Sequence, residues 1–391
     1  MNHSESDEFA DIRPYHDHEV REVIDRLIED DEFISSIINL RVKRQTKLMK
    51  ALAYPFVRQR MRHRLKGVHD IEGIQDIVMT FIDKMLAKTS TSFTISGLEQ
   101  LDKDSNYLFV GNHRDIVLDP TLVNYALKLC GYPTVRIAIG DNLQSKSFIS
   151  DLMRLNKSFI VKRSIKGPRE KVRAIRHLSR YIAHSVLQDN SNVWIAQGEG
   201  RAKDGLDITQ PAIIKMLAMG KPSDQDFSSY IKSLSIVPVA ISYELDPCDG
   251  DKARELYLRK TEGSYQKRLT EDFESISKGI KGSKGGIHLS FGTVLDQEYA
   301  NAEEVANQID QQITAIYLTQ DTNRMCYQLK TQGTISGAIS TSKTHSFEQR
   351  LSNIPDSYRS YAIDMYANVL ERKLSLGVAE EEPLSNVNGY N

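Results

Sequence analysis

Six short apolar segments alternate with helical patterns between residues 106 and 294, and this alternation restricts the fold more than any other feature of the sequence. NYLFVGN (106–112), TVRIAIG (134–140), SFIVKR (158–163), NVWIAQG (192–198), LSIVPVAISY (234–243) and IHLSFGTV (287–294) are rich in the β-branched and aromatic residues that strands favour. The clearest helix between them is 168–188, with Pro168 in its first turn and Val172, Ile175, Leu178, Ile182 and Val186 on one side. Strands separated by helices build βα units, so the expected fold is α/β: a mixed, largely parallel sheet flanked by helices. Helical patterns also precede and follow this region. The expected organisation is a helical N-terminal region (1–89), an α/β domain (90–298) and a helical C-terminal region (299–391). The Gly/Lys-rich end of 265–286 is expected to be an exposed loop, and the polar tail AEEEPLSNVNGYN to be frayed.

Composition removes several classes of protein. With 40% hydrophobic and 26% charged residues, the chain can bury enough surface to offset the entropy of ordering, so general disorder is excluded. No stretch approaches the ~20 apolar residues that span a bilayer. The acidic start MNHSESDEFA lacks the features of a secretory signal, so a cytoplasmic location is expected. Cys130, Cys248 and Cys326 have neither disulfide nor zinc spacing and are expected to be small buried hydrophobes. His63, His69, His177, His184 and His288 fall at no ligand spacing, and no metal site is expected.

A net charge of −1 conceals a local asymmetry: residues 1–32 hold twelve Asp/Glu and three Arg, whereas 33–69 hold ten Lys/Arg and no acid. Val20, Val23, Ile24, Leu27 and Ile28, then Phe33, Ile34, Ile37 and Ile38, follow helical spacing, as one helix or two. The basic segment 41–67 interleaves Leu52, Tyr54, Phe56 and Met61 with its cations, and Pro55 is expected to break or kink it.

Two catalytic motifs fail on inspection. HRD at 113–115 suggests a kinase catalytic loop, but Pro120 stands where that signature needs Asn, and neither a DFG triplet nor a glycine-rich loop is present. GDNLQSKS (140–147) has Ser145 in place of the second glycine of a phosphate loop. The junction VGNHRDIVLDP (110–120) survives, because a strand there ends in Gly-Asn-His and a helix begins near Asp119-Pro120. A histidine at the carboxyl end of a strand faces the crevice where open α/β sheets bind ligands, and a nearby carboxylate can fix its tautomer. Asp119 equally suits a helix N-cap.

Four segments in order resemble those of the glycerolipid acyltransferases. NHRDIVLD is similar to the family's first block, with one additional residue before Asp119, and either Asp119 or Asp115 can partner His113, Asp119 being favoured. SFIVKR resembles the block whose arginine contacts the glycerol phosphate, which assigns that contact to Arg163, with Lys162 and Lys157 near it. WIAQGEGRAKDG (194–205) resembles the third block, with Glu199 and Gly200 aligned, Gly198 in place of proline and Arg201 directly after the glycine. IVPVAISY (236–243) resembles the fourth through Pro238 and Val239. The resemblance spans roughly 90–295. It implies an O-acyltransferase of phospholipid synthesis that moves a fatty acyl group from acyl-CoA or acyl-carrier protein to glycerol 3-phosphate or a lysophospholipid such as lysophosphatidate. The acyl thioester is then a co-substrate, and no other cofactor is implied. His113 would be the base and Asp119 or Asp115 its partner, with Asn112, Arg163, Glu199, Gly200, Arg201 and Lys203 on the substrate.

Such chemistry needs a base, an anion clamp and an apolar trench. A free hydroxyl is a poor nucleophile, and general-base assistance contributes about 10²–10⁴ in rate. Arginines beyond strand ends suit a phosphate, and backbone amides at Gly111–Asn112 or Gly198–Gly200 are candidate oxyanion donors. An enzyme acting on lipid without a span must reach the membrane, so 41–67 is expected to bind an anionic inner face peripherally unless the acids of 1–32 mask it. Nucleic acid is not expected, because no recognition module accompanies the bases. The alternatives are a non-catalytic lipid-binding or tethering protein on the same fold, or an acyltransferase for a different lipid acceptor, such as an amino-acid-derived lipid.

Overall fold

The structure is a computed structural model that describes residues 7–41, 47–143, 146–268, 270–333 and 339–378. The chain forms two compact units, one from Met1–Phe81 and Arg136–Tyr181, the other from Ile82–Val135 and Ile182–Asn391. The segment 136–181 thus clusters with the N-terminal helices rather than with the strands on either side of it in sequence.

Seven strands form: β1 (Ser90–Ser96), β2 (Leu108–Gly111), β3 (Arg136–Gly140), β4 (Ser158–Val161), β5 (Val193–Ala196), β6 (Ile236–Tyr243) and β7 (Gly285–Phe291). In the larger unit the order is β1-β7-β6-β2-β5. β1 and β7, β6 and β2, and β2 and β5 pair in parallel, and only β6 and β7 run antiparallel. A mixed, mostly parallel sheet results. β2 and β6 are buried along their whole length, which is why they read as continuous apolar runs. β1 carries little sequence signal because STSFTIS is an edge strand in which only Phe93 is buried. In the smaller unit β3 and β4 pair in parallel.

The N-terminal pattern resolves into two helices, Asp17–Glu29 and Asp31–Arg41. The break falls at Asp30, whose backbone is extended and whose carboxylate accepts a bond from Phe33 N at 2.8 Å. Val20, Val23, Ile24, Leu27 and Ile28 are buried as their spacing requires. The basic segment corrects one expectation: the helix Lys47–Leu65 runs through Pro55 without a break. Ala53, Tyr54, Val57, Met61 and Leu65 pack into the same core as the first two helices, and this packing outweighs the one backbone donor that proline lacks. Arg58 pairs with Asp31 at 2.8 Å and Arg62 with Glu29 at 2.5 Å, so part of the basic segment is indeed matched to the acidic one, while Phe56 stays 69% exposed.

A second correction concerns 265–286. Residues Glu271–Lys281 are a helix and Gly285–Gly286 open β7. Lys284 is fully buried, its ammonium donating to Thr89 Oγ1 at 3.0 Å and the Gly282 carbonyl at 2.9 Å, so satisfied donors, not solvent, accommodate the charge. Cys248 and Cys326 are buried; Cys130, at a helix end, is only half-buried. The C-terminal region is helical over Ala302–Ile316, Asp321–Thr331, Thr341–Ser352 and Asp356–Ser375. Met325, Phe347, Leu351 and Tyr366 form a core there with Ala253 of the helix Asp249–Glu262. The tail expected to fray lies outside the described residues, as do Val42–Thr46 of the basic segment.

Candidate active site

Three parallel strands, β6, β2 and β5, end on one side of the larger unit's sheet, and the ends of β2 and β5 lead into Asn112, His113 and the loop of Glu199, Gly200, Arg201 and Lys203. Gly111 closes β2 because Trp194 of β5 leaves no room for a side chain: a Cβ there would meet the indole Nε1 at 2.7 Å. The chain then turns through Asn112 and His113 into the helix Leu118–Leu129.

Asp119, in the first turn of that helix, is 1% exposed and collects donors. His113 Nδ1 lies 2.9 Å from its Oδ2, which also accepts the backbone N–H groups of Arg114 at 2.5 Å and Asp115 at 2.8 Å. Its Oδ1 accepts the Tyr243 hydroxyl at 2.8 Å. A carboxylate only accepts, so this geometry places the neutral imidazole's proton on Nδ1 and leaves Nε2 with a free lone pair. The additional residue in NHRDIVLD has not separated the pair. Asp115 does a different job: its Oδ1 caps the same helix by accepting Val117 N at 3.0 Å and Leu118 N at 2.9 Å. Burial, then the neighbouring charge of Asp119, pushes the Asp115 carboxyl above its ordinary pKa.

Asn112 is spent inside the protein. Its amide donates to Asp207 at 3.2 Å and Ile241 O at 3.1 Å and accepts Ile241 N at 2.8 Å, tying β2 to β6. Its own N–H donates to Val239 O, and Glu199 N donates to Gln210 Oε1, so these two amides already serve the fold.

The loop after β5 forms a cleft of about 330 Å³ with His113 on its lining. Ala202 N donates to His113 O at 2.8 Å, which holds the loop against the histidine. Glu199 and Gly200 are exposed on it, and Gly200 has φ +78°, a conformation that suits glycine. Arg201 donates to Ser275 Oγ at 3.3 Å through one terminal nitrogen, and its other is buried without a protein partner. Lys203 stands 3.4 Å from Glu255, and burial lowers its pKa against the opposing pull of that acid. Glu255 also receives Arg259 at 2.8 Å, so one buried carboxylate positions two cations of the cleft lining.

Several contributors carry no local signal in the sequence. Tyr243 closes β6, 124 residues from Asp119. Asp207, at φ +48°, pairs with the buried Arg114 guanidinium. The C-terminal helix secures the loop from behind: Asn368 donates to Asp204 O and Arg372 to Asp207 O, both at 2.8 Å, and a Cβ on Gly205 would strike Met365 O. Arg163 belongs to the other unit, just beyond β4, where its N–H donates to Asp141 at 3.1 Å. Lys157 and Lys162 share that unit, and Lys162 pairs with Asp11. No cluster of three metal-ligating side chains occurs among the described residues.

A histidine oriented by a buried carboxylate, on a cleft lined with cations at the carboxyl ends of parallel strands, can take a proton from a bound hydroxyl and hold an anion beside it. The family comparison agrees in kind. Residues 92–242 match the sequence profile of the Acyltransferase family, and that stretch is an acyltransferase domain. A search of curated proteins gives no significant match. Solved structures similar to the chain include the 1-acyl-sn-glycerophosphate (LPA) acyltransferase PlsC from Thermotoga maritima, 13% identical, with 71% of this chain and 85% of that one covered at a TM-score of 0.37.

Proposed function

We propose that the enzyme transfers a fatty acyl group from a thioester, acyl-CoA or acyl-carrier protein, to a hydroxyl of glycerol 3-phosphate or lysophosphatidate at the inner membrane face. The observation that supports this most is the His113–Asp119 pair on a cleft whose lining carries Arg201, Lys203 and Arg259.

In this scheme the acceptor hydroxyl gives its proton to His113 Nε2 as its oxygen attacks the thioester carbonyl. Asp119 and the Nδ1 proton hold the ring and stabilise the imidazolium. The tetrahedral intermediate collapses by breaking the carbon–sulfur bond, and the imidazolium returns its proton to the leaving thiolate. Arg201 and Lys203 receive the acceptor phosphate and so fix which hydroxyl meets the base. Arg163, the resemblance's phosphate contact, is tested by its own substitution to alanine.

The test is thiol release from palmitoyl-CoA and from acyl-carrier protein, with glycerol 3-phosphate or lysophosphatidate, comparing the protein with folded His113→Ala. Acceptor-dependent release in the wild type and its loss in the variant, by about 10²–10⁴, is the expected result. Absence of release with every acceptor and donor, from protein that still binds lipid, would sink the proposal and leave a lipid-binding protein on this fold. Arg201→Ala is expected to raise KM for the phosphate-bearing acceptor more than it lowers kcat.

A further inference from the structure

A lipid acceptor keeps its chains in the bilayer, so an enzyme acting on it needs a surface that fits lipid. No described helix is long and apolar enough to cross a membrane. On the helix Lys47–Leu65, Ala53, Tyr54, Val57, Met61 and Leu65 face a core and Arg58 and Arg62 pair with acids, while Phe56 stays exposed.

The helix Pro168–Leu187 is built differently along its length. Its second half is anchored, with Leu178, Tyr181, Ile182 and Val186 buried. Its first half stands in solvent: Arg169, Lys171, Val172, Arg173, Ile175 and Arg176 are all exposed. Val172 is 48% and Ile175 37% exposed, and at a spacing of three residues they are neighbours on the helix surface. The 100° step of a helix puts Lys171 on one flank of this apolar stripe and Arg176, Arg169 and Arg173 on the other. These four cations form no ion pair among the described residues, whereas Lys162, Arg180 and Arg26 of the same unit pair with Asp11, Glu8 and Asp151. Glu170 is the one acid on this turn, and it sits against Gly167 at the start of the helix.

From this arrangement we infer that residues 168–176 are the surface on which the protein docks to an anionic lipid bilayer. This rests on the reading of the acceptor as a lipid. Cations on both sides of a narrow exposed apolar stripe match a layer of negative headgroups over hydrocarbon: the bases meet phosphates while Val172 and Ile175 enter the boundary. Attraction at the bilayer surface falls off within a Debye length, so the bound fraction falls as salt rises.

Co-sedimentation of the full chain with phosphatidylcholine vesicles, with and without phosphatidylglycerol, tests the assignment. The wild type is expected to bind only the anionic vesicles, and less as salt rises. The triple variant Arg169→Glu, Arg173→Glu, Arg176→Glu is expected to lose at least tenfold in partitioning, and Val172→Ser with Ile175→Ser to weaken binding at low and high salt alike. All five positions are exposed and outside the cleft, so thermal melting and thiol release with water-soluble glycerol 3-phosphate are expected to stay at wild-type levels. Triple-variant protein that binds like the wild type overturns the assignment. So does loss of binding in Arg60→Glu with Arg64→Glu instead, or a wild type that binds acidic carrier protein but no vesicle. A wild type that binds vesicles through 168–176 yet releases no thiol would undo the proposed reaction and leave the surface standing.

Discussion

The Tyr243 hydroxyl donates to Asp119 Oδ1 at 2.8 Å, on the oxygen opposite the one that faces His113. The carboxylate that orients the imidazole is therefore itself held from β6, and it cannot swing away from the ring without leaving a buried polar group unsatisfied. Burial, then the charge of Asp119, pushes the Tyr243 pKa well above the ordinary phenol value, so it remains a donor through the neutral range. Tyr243→Phe removes this bond and keeps the ring. We expect kcat to fall about threefold to tenfold, equivalent to about 0.7–1.4 kcal/mol, with KM for the acceptor little changed. Steady-state kinetics with palmitoyl-CoA measures both.

Asp119 and Asp115 have separable tasks, one on the imidazole and one on a helix end. Asp119→Asn would present an amide to His113 in place of a pure acceptor and upset the tautomer, for an expected loss of about 10²-fold or more in kcat. Asp115→Asn keeps an oxygen for Val117 N and Leu118 N, and activity is expected to stay within a few-fold of wild type. Equal losses in the two variants would mean that the hydrogen bonds do not divide the work.

Gly111 tests how tightly the site is packed. A methyl at this position meets the Trp194 indole, whose ring is edge-on to His113 with centroids 5.9 Å apart. Gly111→Ala is expected to destabilise the fold by about 1–3 kcal/mol, as overpacking does, and to lower activity further by displacing the histidine. Urea unfolding gives the first quantity and thiol release the second.

His288 sets a pH limit on stability. It is 3% exposed between Thr94 Oγ1 at 2.6 Å and Ser96 Oγ at 3.0 Å, and burial lowers its pKa to about 4. The unfolded chain takes up this proton near pH 6.5, so stability is fully present above that value and is lost as pH falls from 6.5 toward 4. The contribution is about 3 kcal/mol, from 1.36 kcal/mol per pKa unit. Unfolding free energy measured from pH 7.5 to 5 should decline in the wild type and decline less in His288→Gln.

The sequence by itself determined the strands whose cores are fully buried, because β2 and β6 are uninterrupted apolar runs whatever they pack against. It also placed the helix Pro168–Leu187 and the apolar face of Asp17–Glu29, whose spacing is a local property, while leaving open whether one helix or two precede residue 41. His113 and its candidate partners were legible for the same reason, since Asn-His at a strand end and Asp at a helix start lie within one short stretch. The rest depended on contacts distant in sequence. β1 has two large apolar residues and exists because β7 offers it a ladder. Pro55 stays in a helix because five side chains around it have a core to fill. Residues 271–281 are helical although the Gly/Lys pattern after them suggests a loop. The choice between Asp115 and Asp119, the hydroxyl of Tyr243 and the grip of Glu255 on Lys203 and Arg259 were decided only when the strands came together. Local propensity fixes where backbone can be regular, but a hydrogen bond between side chains needs both ends in place, and only tertiary packing supplies the second.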